Sequence, residues 1–123
     1  MKAIIVDDSR AMRMIIKRIL AAVGFEVCEA GDGKQALDQL VATGPVDLAL
    51  VDWNMPVMNG FELITEVRSR KELDGMAIMM VTTETEIAQV QRALDAGANE
   101  YVMKPFTEDA LRGKLLLLGL GEA

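Results

Sequence analysis

The chain of 123 residues contains no histidine, one cysteine, three prolines, one tryptophan and one tyrosine. The absence of histidine excludes a Ser-His-Asp triad, imidazole-ligated metal centres and an internal phosphohistidine. A lone Cys28 cannot close an internal disulfide, which fits a reducing compartment; it lies in an apolar segment and is expected to be buried and inert. Long apolar runs are also missing: the longest, Leu115 to Leu118 continuing through glycine to Leu120, falls far short of the roughly 20 residues of a membrane span. Asp7 and Asp8 interrupt the apolar N-terminus before it could act as a signal peptide. Basic residues are outnumbered 13 to 19, giving a net charge of -6, so no basic face is available for direct nucleic-acid binding. These absences predict one soluble cytoplasmic domain over residues 1–123, with no membrane insertion.

What is present is an alternation of short apolar runs with amphipathic segments. Residues 2–6 read as a strand that runs into Asp7-Asp8-Ser9, a capping sequence for a helix. That helix carries Met12, Ile15, Ile16, Ile19, Leu20 and Val23 at helical spacing, with Arg10, Arg13 and Lys17 on another face, and Gly24 ends it. Strands follow at Phe25–Ala30, residues 47–51, Ala77–Val81 and Glu100–Met103, separated by a weaker helix up to Gly44 and one opened by Gly60. The Gly60 helix turns Leu63, Ile64 and Val67 inward and Glu62, Glu66, Arg68 and Arg70 outward. Ile87, Val90 and Leu94 mark a fourth helix, and residues 107 to about 118 a fifth. Five strands alternating with five helices predict an α/β fold, a doubly wound parallel sheet covered on both faces. Right-handed crossovers then bring the residues after each strand to one edge, where ligands bind in such sheets.

The residues at that edge are Asp7 and Asp8, Asp52, Thr82 and Lys104. Two like charges about 5 Å apart repel by roughly 3 kcal/mol at an effective dielectric near 20, so clustered carboxylates take up protons or recruit a cation. An all-oxygen donor set without histidine suits Mg²⁺. With one ammonium at Lys104 and a hydroxyl at Thr82, an aspartate nucleophile at Asp52 has the parts needed to accept a phosphoryl group. Taken singly, each residue also has a plainer reading as cap, turn residue, strand former or surface charge.

The order Asp7-Asp8, Asp52 within Asp-Trp-Asn-Met-Pro-x-Met-x-Gly, Val81-Thr82 and Lys104-Pro105-Phe106 resembles the receiver domain of two-component response regulators, from residue 3 to about 118. Trp53, Asn54 and Tyr101 place the resemblance nearest the single-domain chemotaxis regulators. It implies a flavodoxin-like sheet of order 2-1-3-4-5. It further implies Asp52 as phosphoacceptor, Asp8 as a direct Mg²⁺ ligand, Asp7 as a second acid acting through water, and the Asn54 carbonyl as a further metal ligand. Thr82 and Lys104 would hold the phosphoryl oxygens, Tyr101 would switch with Thr82, and Lys104-Pro105 would be cis. Asn54 and Glu84, beside the path of attacking water, would set the acyl-phosphate lifetime.

A histidine kinase is the implied phosphodonor, and the surface of helix 4, strand 5 and helix 5 would be read by a downstream target, of which a flagellar motor switch protein is one. Thr85 and Glu86 stand where chemotaxis regulators usually carry lysines, and the last helix is Leu-rich with Gly113 inside it. A receiver in another phosphorelay is therefore an open alternative. Leu116 and Leu117 exceed one inward face and are expected at a partner or dimer surface, leaving a monomer and a phosphorylation-dependent dimer both open. Two other classes compete. Gly31-Asp32-Gly33-Lys34-Gln35-Ala36 fits a dinucleotide fingerprint, but it follows the second strand and Asp32 would face the pyrophosphate; a βα turn is the simpler account. A Mg²⁺-dependent aspartyl-phosphate phosphatase would carry a general acid or base two residues after its nucleophile, where this chain has Asn54.

Overall fold

Five apolar runs become parallel strands, β1 (Lys2–Val6), β2 (Glu26–Ala30), β3 (Leu48–Asp52), β4 (Ala77–Thr83) and β5 (Glu100–Lys104), in a sheet ordered β2-β1-β3-β4-β5. The helices are α1 (Arg10–Val23), α2 (Gly33–Thr43), α3 (Gly60–Arg68), α4 (Val90–Ala96) and α5 (Glu108–Leu117). This computed structural model describes residues 1–120 apart from the Glu84 side chain, so the expectation on Glu84 and the end of the expected 1–123 domain lie outside the described residues. Among the described residues, no helix is long and apolar enough to cross a membrane.

The helix starts are built from short polar side chains. Ser9 accepts from the Met12 amide, Asp32 from Gln35 and Thr107 from Ala110, while Asn59 and Glu62 close a reciprocal capping box at α3. Asp32 thereby spends its carboxylate on capping α2, which is the turn reading of the Gly31–Ala36 motif. Strand parity divides the core. Ile4, Val6, Ala49, Val51, Ile78 and Met80 face α2, α3 and α4, whereas Ala3, Ile5, Leu48, Leu50, Met79, Val81 and Val102 face α1 and α5.

Several expectations are corrected. Cys28 is exposed, because β2 is an edge strand and its neighbouring helices leave that position uncovered. The fourth helix begins with a 3₁₀ segment at Glu84–Gln89, which leaves Ile87 38% exposed. Ile15 lies at the rim of the α1 stripe and is 50% exposed. Arg68 does not point outward into water. Its guanidinium donates to the carbonyls of Gly97, Asp74 and Met76 and to the Asn99 side chain, tying the end of α3 to the starts of β4 and β5.

Candidate functional site

Register alone brings the acids together. Val6 of β1 is level with Val51 of β3, so Asp7 and Asp52 are the next residues on adjacent strands. Asp52 is also paired with Val81, and Thr83 with Lys104, which carries the same edge across to β5. Asp52 and Lys104 are thus the last residues of their strands and Thr82 the last but one, rather than the first loop residues that the sequence suggested, and the ladder fixes their backbones. The Lys104-Pro105 peptide is cis.

Asp7, Asp8 and Asp52 each offer a carboxylate oxygen, all within 4.8 Å of one another; Asp7 and Asp52 are buried and Asp8 is exposed. Lys104 bridges the buried pair, its Nζ 3.2 Å from Asp7 Oδ2 and 3.4 Å from Asp52 Oδ1. The other Asp7 oxygen accepts from the Ser9 amide at 2.8 Å. Burial pushes the Asp52 carboxyl up from the usual 3.8 to about 6, with Asp7 and, less, Asp8 adding to the push while Lys104 opposes it. Burial works against the Lys104 ammonium, yet Asp52 and Asp7 hold its pKa above the usual 10.5. One ammonium facing three carboxylates leaves negative charge uncompensated. Hard oxygen donors at this spacing could hold a divalent cation such as Mg²⁺ or Ca²⁺.

Thr82 is not part of this charged group. By strand parity its side chain follows Ile78 and Met80 toward α4, where it lines a narrow crevice with Trp53, Met80, Val90 and Ala93. Its hydroxyl has a single long contact, 3.4 Å to the Thr83 carbonyl. Tyr101 packs on that same side of the sheet, half-buried, with Lys114 Nζ 4.5 Å from its ring centre. The structure therefore gathers Asp7, Asp8, Asp52 and Lys104, and sets Thr82 and Tyr101 together behind them. Asn54 is exposed in the loop after β3.

That loop is held tightly. A Cβ on Gly60 would lie 2.5 Å from the Asp52 carbonyl oxygen, and one on Gly33 would lie 2.6 Å from that of Met58. Gly60→Ala is expected to destabilise the fold by about 3 kcal/mol, because the obstruction is backbone that cannot rotate away; a urea melt checks this. Val57 sits at φ 68° with Met58 N donating to the Pro56 carbonyl at 2.7 Å, a strained three-residue turn for a β-branched residue.

Two residues that sequence reasoning placed on solvent faces contribute to this edge or support it from below. Arg13 reaches back along α1 to the Asp7 carbonyl, and Arg68 clamps the opposite end of the sheet. The signal for Arg13 was available: a helical side chain in the second turn leans toward the N-terminus, over the residues that precede the cap.

Residues 3–116 match the family model described as the response regulator receiver domain. A chemotaxis protein CheY homolog of Campylobacter jejuni is 48% identical over 98% of this chain and 95% of its own. Chemotaxis protein CheY1 of Helicobacter pylori is 44% identical over 99% of this chain and 100% of its own. Among solved structures, the chemotaxis response regulator CheY4 of Vibrio cholerae superposes with a TM-score of 0.87 at 35% identity, covering 95% of this chain and 97% of that one. With its 2-1-3-4-5 sheet and its strand-end acids, the chain belongs to the response regulator receiver family and is homologous to the CheY chemotaxis regulators.

Proposed function

We propose that Asp52 accepts a phosphoryl group from the phosphohistidine of a histidine kinase in a Mg²⁺-dependent step, and that the resulting charge switches the surface formed by α4, β5 and α5. The observation that carries this reading is the buried Asp52 carboxylate set among Asp7, Asp8 and Lys104 at hydrogen-bond and ligand distances. An Asp52 oxygen forms a bond to phosphorus as the P–N bond to the donor imidazole breaks, giving an acyl phosphate and a free imidazole that takes a proton from solvent. Lys104 supplies a fixed positive charge to the developing phosphoryl oxygens, and Asp7 keeps that ammonium aimed at the edge. Asp8, Asp52 and the Asn54 carbonyl, with Asp7 acting through water, would hold Mg²⁺, which when bound supplies charge neutralisation of the transferring group.

Thr82 completes the switch. Its weakly bonded hydroxyl is the nearest uncommitted donor on β4, and moving toward the phosphoryl oxygen would draw it out of the crevice beside α4. That shift opens room on the side of the sheet where Tyr101 packs, and so alters the α4–β5–α5 surface. Thr82→Ala is expected to retain phosphorylation from acetyl phosphate while target affinity no longer responds to it. Titration of a bound target peptide with and without beryllofluoride reads that difference directly.

The reading extends to a cytoplasmic setting, where kinase and Mg²⁺ are both available, and to a flagellar motor switch protein as target, on the likeness to chemotaxis regulators. Leu116 and Leu117 are 47% and 72% exposed, and with Met103 they supply apolar area for that contact or for a phosphorylation-dependent dimer. Labelling with acetyl phosphate and Mg²⁺, followed by hydroxylamine release, tests the chemistry. No hydroxylamine-sensitive label would overturn it.

A further inference from the structure

Asp8 is the exposed member of the acid cluster, and among the described residues no hydrogen bond or ion pair holds its carboxylate. Its position must therefore come from the backbone. The carbonyl of Asp7 and the amide of Asp8 share one rigid peptide plane, so whatever fixes that carbonyl fixes the direction in which Asp8 leaves the chain. The Asp7 carbonyl accepts from Arg13 Nη1 at 2.6 Å. Arg13 is in turn aimed by Glu29 of β2, whose Oε1 accepts from Arg13 Nε at 3.1 Å. The Asp7 amide is bonded to the Ala30 carbonyl at 3.1 Å, so both sides of Asp7 are referred to the same strand, directly through its amide and through Arg13 at its carbonyl.

The Arg13 side chain is only 18% exposed, and its planar fork serves two acceptors at once. Lys17, on the next turn, also approaches Glu29 at 3.6 Å but is half exposed and makes no contact with the Asp7–Asp8 peptide. The pair Glu29–Arg13 is thus a continuous link from the edge strand to the loop that bears two of the three acids.

We infer that Arg13, held by Glu29, is a positioning residue that orients the Asp7–Asp8 peptide and thereby sets the affinity of the acid cluster for its divalent cation. This rests on the proposal that the cluster binds Mg²⁺. The sign of the effect separates positioning from simple electrostatics. Removing a cation from the neighbourhood of three carboxylates strengthens Mg²⁺ binding if charge is all that Arg13 contributes. Loss of orientation weakens it instead.

The experiment is a calorimetric titration of the full chain with MgCl₂ near pH 7.5, with acetyl-phosphate labelling measured alongside. Arg13→Met is expected to weaken Mg²⁺ binding by about tenfold or more, the range found when residues that orient metal ligands are removed. Labelling should recover at saturating Mg²⁺, so that the Mg²⁺ requirement moves and the limiting rate stays. Arg13→Lys should restore binding only in part, since one ammonium cannot span a carbonyl and a carboxylate in a fork. Arg13→Gln, which removes the same charge but keeps a polar head should Arg13→Met fold poorly, is likewise expected to weaken binding, and Glu29→Gln, whose lost charge weakens binding by itself, to do so less. Lys17→Met should leave it unchanged. Affinity that is unchanged or tighter in folded Arg13→Met or Arg13→Gln overturns the inference while leaving the site proposal intact. A wild-type chain that binds no Mg²⁺ overturns both.

Discussion

Replacing Asp52 by Asn is expected to abolish phosphoryl acceptance and, in the metal-free protein, to raise stability at neutral pH. The first result follows from chemistry, because an amide oxygen is too weak a nucleophile to form the acyl phosphate. The second follows from the site's electrostatics. Burial and Asp7 raise the Asp52 carboxyl from 3.8 to about 6, so the folded state holds a proton that the unfolded chain gives up. Below about pH 4 both states are protonated and Asp52 carries no penalty. As pH rises through the interval up to 6 the folded state loses ground, and above it the full cost of the ionised, buried carboxylate remains. A displacement of roughly two pH units sets an upper bound of about 3 kcal/mol, which solvent screening at this open edge reduces and which a neutral isostere removes. Chemical denaturation of the two proteins should therefore coincide near pH 4 and diverge by pH 7.5, with the variant more stable. Saturating Mg²⁺ should narrow the gap, since a bound cation relieves in the wild type the repulsion that the substitution removes. Hydroxylamine-labile label on the variant would sink Asp52 as acceptor, and a variant less stable than wild type at pH 7.5 would sink the electrostatic account.

The five-fold alternation and the strand-end placement of Asp7, Asp8, Asp52 and Lys104 were legible in the sequence because each depends on local pattern, whereas the order of the strands came only with the resemblance to receiver domains. A buried run such as Leu48–Val51 ends where its first carboxylate begins, and register then supplies the neighbours. Thr82 was legible as a residue and not as a geometry. It stands at the same edge as Asp52, but whether its side chain meets the acids or α4 depends on parity counted along β4, and the strand runs to Thr83, beyond its apolar stretch. Cys28 and Ile87 were misjudged for one reason: apolar composition does not tell which strand lies at the sheet edge or that a helix opens with a tighter 3₁₀ turn. Arg13 and Arg68 escaped because charge reads as solvent exposure. Long side chains instead fold back, and their donors find carbonyls at 2.6–3.0 Å that no periodicity reveals.

Lys104→Met should move cation affinity and phosphoryl transfer in opposite directions. The ammonium lies between the two buried carboxylates, 3.2 Å from Asp7 and 3.4 Å from Asp52, and so does for the metal-free site part of what a cation would do. Each contact is a like-for-like competitor with the metal for the same negative charge. With the ammonium gone, Mg²⁺ meets an uncompensated cluster and is expected to bind about tenfold more tightly, equivalent to about 1.4 kcal/mol. The metal-free protein is correspondingly less stable at pH 7.5, and the Asp52 carboxyl titrates higher still, because the ammonium that lowers it through a direct ion pair has been removed. Phosphoryl transfer nevertheless slows, by roughly 10²–10³-fold, since the fixed charge that meets the developing phosphoryl oxygens is lost from the transition state. Calorimetry with MgCl₂ and the initial rate of labelling by acetyl phosphate, both on the same preparation, read the two effects. If affinity and rate fell together, Lys104 would be a ligand-positioning residue and its role as the counter-charge of the transferring group would be wrong. If the rate held while affinity rose, the bound cation alone would suffice for the chemistry, and the ammonium would serve only to offset the repulsion between Asp7 and Asp52 until the metal arrives.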